Sequence, residues 1–379
     1  MSLVFDAHAH CFPALMSRQP GEDDQEMRLR LRAHQYHQHT RGLPASSSGV
    51  GTGVLSKAKE WGVFRIRDNT QVHDTLMLGE ADGQSWMPEV NFRIAPFGRT
   101  EFTVDGEDYR IQWLPPNLSD SSFPPELLVA HMDYVGVDRA LLQHDRLYGR
   151  LDGYLATCME KYPDRLVALA QVEEWRGGEP DQLERVRHQV QDLGFCGLYF
   201  ATEGFFVTDF SLGINSPPLE PLWDLIADLG VPIFWLTSNQ VRPQAESYIT
   251  EIRDLTKWAE NHPHLRSVLT HGFPDPKHVH RDLMLLLQRP NIYVELFLLA
   301  FTLVEGGEVS RSNVSATTRK LVDELGPEKL LWGSDMPSAE RHLPYMRWFD
   351  LIRHADDLST SEQDAILGGN LAGLLAHES

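Results

Sequence analysis

Residues 219–236, LEPLWDLIADLGVPIFWL, hold one unit of the pattern that decides the fold. Leu219, Leu222, Trp223, Ile226 and Leu229 recur at helical spacing, which puts one apolar stripe on a helix that Gly230 ends. Val231 to Leu236 follows as a short β-branched and aromatic run, the composition of a buried strand. Runs of the same kind lie at Leu3 to Ala7, Asp138 to Gln143, Leu166 to Val172, Phe195 to Phe200, Arg266 to Thr270, Asn291 to Leu296 and Lys329 to Gly333. From the second run onward, stretches of helical periodicity separate them. Strands alternating with helices imply parallel strands joined by right-handed crossovers, and eight such units predict a (β/α)8 TIM barrel of the α/β class. No Gly-x-Gly-x-x-Gly turn follows any of these strands, which counts against an open dinucleotide-binding sheet.

One stretch breaks the alternation. From about residue 12 to 123 the chain carries a charged helical stretch, the Gly- and Ser-rich run Ala45 to Gly53, and then Glu101 to Trp113, whose alternating apolar residues flank Asp105-Gly106. That dipeptide favours the two positive φ values of a tight hairpin turn. The region reads as an insertion after strand one of a single domain spanning residues 1–379. A stiffening decoration and a lid or subunit contact are both open as its role.

Composition narrows the function classes. With 42% hydrophobic and 9% aromatic residues the chain is globular rather than disordered. Thirty-four basic against 54 acidic residues leave a net charge of -20, a field that repels nucleic acid and anionic lipid, and no basic patch reverses it. Apolar runs such as Leu296 to Phe301 are too short to span a bilayer, so a cytoplasmic protein is expected. Cys11, Cys158 and Cys196 are too few and too scattered for a disulfide framework or a cysteine zinc site.

In a barrel of this kind chemistry sits where strands run out into loops. Strand one closes with Asp6-Ala7-His8-Ala9-His10, and alternation along an extended chain points His8 and His10 the same way, a pairing suited to one divalent cation. Strand eight ends in Gly333-Ser334-Asp335, a carboxylate that a closed barrel brings beside strand one; its plainer reading is a helix N-cap. Strand six ends in Thr270-His271 and strand two in Gln143-His144-Asp145, where His144 is either a ligand or a structural histidine. Glu295 closes strand seven among apolar neighbours, so it needs a metal or a cationic side chain as partner. Together these residues predict a metal-assisted hydrolytic site. His34, His37 and His39 read as a solvated helix face, and Lys277, His278, His280 and Arg281 as either a contact for an anionic substrate or a basic surface turn. Cys11 is either a nucleophile or a small buried residue.

With His8, His10, His271 and Gly333-Ser334-Asp335 in this order, the chain resembles the amidohydrolase superfamily, closest to the amidohydrolase-related branch of hydrolases and non-oxidative decarboxylases. The likeness extends from Phe5 through Gly230-Val-Pro-Ile233 to the closing Gly369-Asn-Leu-Ala-Gly-Leu-Leu375. It implies that His8, His10 and Asp335 are metal ligands, that Asp335 is also the general base, and that His271 is a ligand or polarises the reacting carbonyl. Two family features are missing: the strand-five histidine position is Leu236, and Gly197-Leu-Tyr-Phe200 supplies no lysine to bridge two metals. Glu295 and His144 are the substitutes this reading selects, giving one or two divalent transition metals, zinc, iron or manganese. The altered set is similar to a branch that uses a non-haem di-iron centre to cleave acyl-CoA thioesters.

Three functions follow for comparison. The first is hydrolysis of a thioester, ester, lactone or amide by a metal-activated water. The second is metal-dependent decarboxylation of an aromatic or unsaturated acid, against which Leu236 counts. The third is a non-catalytic barrel that binds a ligand or partner. A small-molecule substrate is expected, and the resemblance implies a homodimer.

Overall fold

The computed structural model describes residues 2–42, 63–72, 90–236, 247–272, 279–296, 299, 304–305, 308–341 and 343–376. Ala45 to Gly53, Lys277, His278 and the side chain of His39 lie outside the described residues. In chain order β1 (Phe5–Ala9) precedes five strands of the insertion: β2 (Val63–Arg65), β3 (Gln71–Val72), β4 (Arg93–Ala95), β5 (Arg99–Val104) and β6 (Glu107–Gln112). Next come β7 (Arg139–Leu142), β8 (Leu166–Ala168), β9 (Ala170–Gln171), β10 (Leu198–Ala201), β11 (Ile233–Leu236), β12 (Ser267–Leu269) and β13 (Ile292–Glu295). A short hairpin of β14 (Val304–Glu305) and β15 (Glu308–Val309) precedes β16 (Leu330–Leu331).

The fold is the TIM barrel. One parallel ladder runs β1-β7-β8 and the other β9-β10-β11-β12-β13-β16. They are joined because β8 and β9 are one barrel strand interrupted at Leu169, the first part pairing with β7 and the second with β10. Single backbone bonds complete the ring between β16 and β1: Ala7 N to Trp332 O (3.0 Å), Asp335 N to His8 O (2.7 Å) and His10 N to Met336 O (2.9 Å).

Strand alternation sorts the core. Leu141, Leu169, Tyr199, Phe234, Val268 and Leu331 form one inner cluster, closed from below by Leu371 and Leu374 of the last helix. Leu142, Phe200, Trp235, Val294 and Trp332 face the surrounding helices instead. The helix Glu220–Leu229 buries Leu222, Trp223 and Ile226, as the 219–229 stripe predicts, and ends on Gly230 at φ 67°. Trp223 and Trp258 meet Trp235 with ring centroids 5.5 and 4.9 Å apart, and the Trp235 indole donates to Ser267 Oγ. No described helix is long and apolar enough to cross a membrane.

The insertion is fastened at its base by a reciprocal backbone pair, Phe12 N to Phe123 O and Phe123 N to Phe12 O, each 2.9 Å. Within it, antiparallel strands run β3-β2-β6-β5-β4, and the β5–β6 hairpin turns through Asp105 and Gly106 at φ 51° and 79°. The helix Asp24–Gly42 departs from the solvated face expected of its histidines. His34 and His37 are buried, because the helix lies over the loops after strands two and four. His34 Nε2 donates to Leu147 O (2.6 Å) and His37 Nδ1 lies 3.2 Å from Glu203 Oε2. In the turn after strand six, His280 Nδ1 caps the helix Arg281–Leu287 by accepting from Asp282 N.

Removing the central ring of the tryptophan cluster leaves a cavity that its rigid neighbours cannot close. Trp235→Ala is expected to lower unfolding stability by about 3–5 kcal/mol in urea titration; a loss below about 1 kcal/mol would show that the cluster carries little of the core.

Candidate metal centre

Strand one does not run straight into the site. Its register against β7 slips between Asp6 and Ala9, so Phe5 and Ala7 join the inner apolar cluster and yet His8 and His10 also turn inward above them. A local bulge of this kind re-aims side chains next to a site. Both imidazoles are buried and lie edge to face, with centroids 5.1 Å apart.

Each ring is anchored through Nδ1. His8 Nδ1 donates to Glu295 Oε2 at 2.7 Å, and His10 Nδ1 to the Gln143 carbonyl. A carbonyl only accepts, so a hydrogen sits on His10 Nδ1, and on the neutral ring Nε2 keeps the lone pair. His8 Nε2 and His10 Nε2 then face Asp335 Oδ1, at 3.8 and 3.1 Å. With Nδ1 carrying the hydrogen on each neutral ring, three lone-pair-bearing atoms converge, an arrangement that a cation satisfies; without one, the 3.1 Å approach of His10 Nε2 to Asp335 is a hydrogen bond that takes a proton on Nε2. Among the described residues His8, His10 and Asp335 are the group whose donor atoms all lie within 4.8 Å of one another. Two imidazoles and a carboxylate with outward-tied Nδ1 atoms fit a divalent transition metal, zinc, iron or manganese alike.

Asp335 is held on a strained backbone, φ 56°, in a region a non-glycine residue seldom adopts. Its amide is tied to His8 O, and Ser338 Oγ donates to both carboxylate oxygens at 3.1 Å. No backbone N–H among the described residues caps on that carboxylate. Burial would raise its pKa, but the hydrogen bond with His10 and the charges of His8, His10 and His271 outweigh it and hold Asp335 below the usual carboxylate range.

Behind this group lies a buried polar scaffold that the strand ends alone do not reveal. Asp6 accepts from His8 N, Ser334 N, Ser334 Oγ and Tyr345 OH, which pins the strand-eight loop to strand one. Its place two residues before His8 on an alternating strand is the signal that could have found it. Gly333 must be glycine for closeness: a Cβ there would lie 2.8 Å from His8 Cβ and 3.4 Å from Glu295 Oε2.

The family model for amidohydrolases matches residues 5–375. The chain belongs to the amidohydrolase family. That membership places it among metal-dependent enzymes, and no curated protein matches it by sequence. Its fold is shared with a TIM-barrel protein of Bordetella bronchiseptica, at 20% identity, TM-score 0.51, and coverage of 66% of this chain and 82% of that one. A probable 2-pyrone-4,6-dicarboxylic acid hydrolase from Acinetobacter baumannii, with citric acid bound, aligns at 16% identity, TM-score 0.52, covering 67% and 89%. A 5-carboxyvanillate decarboxylase from Sphingomonas paucimobilis aligns at 17% identity, TM-score 0.49, covering 65% and 81%.

Relative to the amidohydrolase pattern, Leu236 ends strand five as a buried member of the inner apolar cluster. Neither of the two substitutes chosen for the missing histidine belongs to the group formed by His8, His10 and Asp335. Glu295 has both oxygens engaged, Oε2 by His8 and Oε1 by Gln143 Nε2 at 2.6 Å, so it stands behind His8 as the carboxylate that orients it. Among the described residues its hydrogen-bond partners are His8 and Gln143. Burial drives the Glu295 carboxyl up and His8 down. His144 donates Nε2–H to Cys11 O at 2.6 Å, and its ring abuts that of His10 at 5.5 Å without joining the three donors; burial and then the charge of His10 push its pKa down. His271, half-buried, stacks on His8 at 5.8 Å and stands beside the group rather than within it. Cys11 is fully buried and its thiol is pushed up by that burial, the behaviour of a packing residue.

Orientation and ligation predict different stoichiometries for Glu295. Glu295→Gln is expected to keep the parent's metal count at saturation and to weaken metal affinity by about 10- to 100-fold in a chelator competition. Loss of one ion per chain at saturation would make Glu295 a ligand after all.

Proposed function

We propose that this amidohydrolase is a hydrolase of a carboxylic acid derivative, working through one divalent metal held by His8, His10 and Asp335. The observation that carries the reading is the convergence of His8 Nε2, His10 Nε2 and the Asp335 carboxylate at the barrel mouth, with their donor atoms within 4.8 Å of one another. A divalent metal at that point supplies a Lewis acid for the reacting carbonyl and brings a water's pKa toward neutrality. The chain's own residues do the rest. Asp335 takes the proton of the attacking water, and the Ser338 hydroxyl fixes the carboxylate's orientation. Glu295 and the Gln143 carbonyl hold the imidazoles in the tautomer that presents Nε2. His271, beside His8 and partly open to solvent, donates a hydrogen bond to the oxygen on which negative charge develops. These requirements are common to thioesters, esters, lactones and amides, including an acyl-CoA thioester.

Decarboxylation of an aromatic or unsaturated acid is the competing reading. By the family resemblance it relies on the strand-five histidine, and Leu236 offers no donor there. A panel of thioesters, esters, lactones, amides and aromatic acids, assayed in parallel for acid and carbon dioxide release, separates the two. Acid release without carbon dioxide is expected; carbon dioxide release would establish the decarboxylase, and neither product from a metal-loaded sample would favour a non-catalytic barrel.

Asp335→Asn is nearly isosteric, so it removes charge while leaving the fold. Turnover is expected to fall by about a hundredfold or more, the contribution of a general base, with an unchanged melting midpoint. Activity within a few-fold of the parent would refute the role given to Asp335.

A further inference from the structure

The turn that carries Asp335 is held from two sides. On the barrel side strand one fixes its backbone, since Asp335 N donates to His8 O and His10 N donates to Met336 O. The other hold comes from the insertion. Arg341, half-buried at the end of the short helix Ser338–Arg341, donates from Nε to Ser338 O at 3.0 Å and from Nη1 to Gln112 O at 2.9 Å. Gln112 is the last residue of β6, so one guanidinium bridges the turn after strand eight and the hairpin of the insertion, 229 residues away in sequence.

Both ends of this bridge are firmly built. At the insertion end, Trp113 N and Leu114 N both donate to Gly98 O, at 2.9 and 2.8 Å, and the Gln112 side-chain amide donates to Phe97 O and Leu114 O. Gly98 permits that closeness, because its φ is 68° and a Cβ there would run into the Leu114 carbonyl. At the other end, Ala339 N donates to Asp335 O at 3.0 Å, and Ser338 Oγ lies 3.1 Å from each oxygen of the Asp335 carboxylate. A further contact on the same turn is looser: Glu340 Oε1 stands 3.5 Å from His131 Nδ1, and both side chains are partly exposed. Asp335 needs a firm hold, since a non-glycine residue keeps a φ of 56° only where its surroundings enforce it. Two charge-assisted bonds from a planar fork supply direction as well as strength.

We propose that Arg341 is a positioning residue for the metal centre: by strapping the Ser338 turn to the insertion, it keeps the Asp335 carboxylate in register with His8 and His10. Arg341 acts through Ser338, whose carbonyl it grips and whose hydroxyl meets the carboxylate. The insertion thereby has a role besides decoration and lid, as the outer support of a ligand. This inference rests on the proposed ligation by His8, His10 and Asp335.

Cobalt(II) titration of the full chain, followed by visible absorption and by competition with a chelator, tests it. Arg341→Met is expected to weaken cobalt binding by about tenfold or more, the scale on which partners behind a ligand act. Arg341→Lys, which keeps the charge but loses the fork, should fall between that variant and the parent. Ser338→Ala should also weaken binding, and Ser338→Ala combined with Arg341→Met should lose less than the product of the two single losses, because the two residues act in one chain. Arg266 is the control. It bridges two carbonyls in the same manner, Gly230 O at 2.7 Å and Leu374 O at 2.8 Å, at the opposite end of the barrel. Arg266→Met should therefore leave cobalt affinity within about twofold, whatever it does to the melting midpoint. If Arg341→Met misfolds, Arg341→Lys decides by the same readout. Cobalt affinity and spectrum unchanged in a folded Arg341 variant, a double variant that loses the full product, or an equal loss in Arg266→Met would each overturn the inference and leave the ligation standing. A parent that binds no cobalt, or an Asp335→Asn protein that binds it as tightly as the parent, would refute ligation by Asp335 and the inference with it.

Discussion

The hydrogen bond between His8 and Glu295 governs the rest of the site. A carboxylate buried to full exclusion of solvent on strand seven is costly unless both oxygens are satisfied, and the chain does this with Gln143 from strand two and His8 from strand one. That solution draws three strands to one point in the barrel. It also sets the tautomer of His8, turns its Nε2 toward Asp335, and leaves room for strand eight only where residue 333 lacks a side chain. A group that resembles an isolated buried charge in the sequence is thus the support on which the candidate ligands are oriented.

Local signals explain which features could be read from the sequence. The helical stripe from Leu219 to Leu229 and the glycine after it are contained in one segment, and so is the Asp105-Gly106 turn. His8, His10 and Asp335 could be proposed because strand ends of a closed barrel meet, a consequence of topology and not of detailed packing. Other features depend on contacts across long sequence distances. Glu295 acquires its role from His8, 287 residues away, and His37 is buried because Glu203, 166 residues on, faces it. The register slip in strand one is equally hidden, since Ala7 and His8 are both consistent with an unbroken alternation until the pairing with β7 is known.

The insertion packs against the candidate metal centre. Trp113 at the end of its hairpin lies against Tyr148, whose ring stacks on His10 at 4.9 Å, and also against His34 of the covering helix. A continuous aromatic contact therefore runs from a candidate ligand to the helix Asp24–Gly42 of the insertion.

The central claim is that one metal lies among His8 Nε2, His10 Nε2 and the Asp335 carboxylate, with Glu295 behind it. Crystals of protein produced with manganese, measured at the manganese absorption edge, test this most directly through the anomalous difference map. The account predicts one strong peak per chain within coordination distance of those three groups and beyond direct contact with Glu295 and His144. A second peak bound to Glu295 or His144, or a metal-loaded protein whose peak lies away from His8, His10 and Asp335, would contradict it.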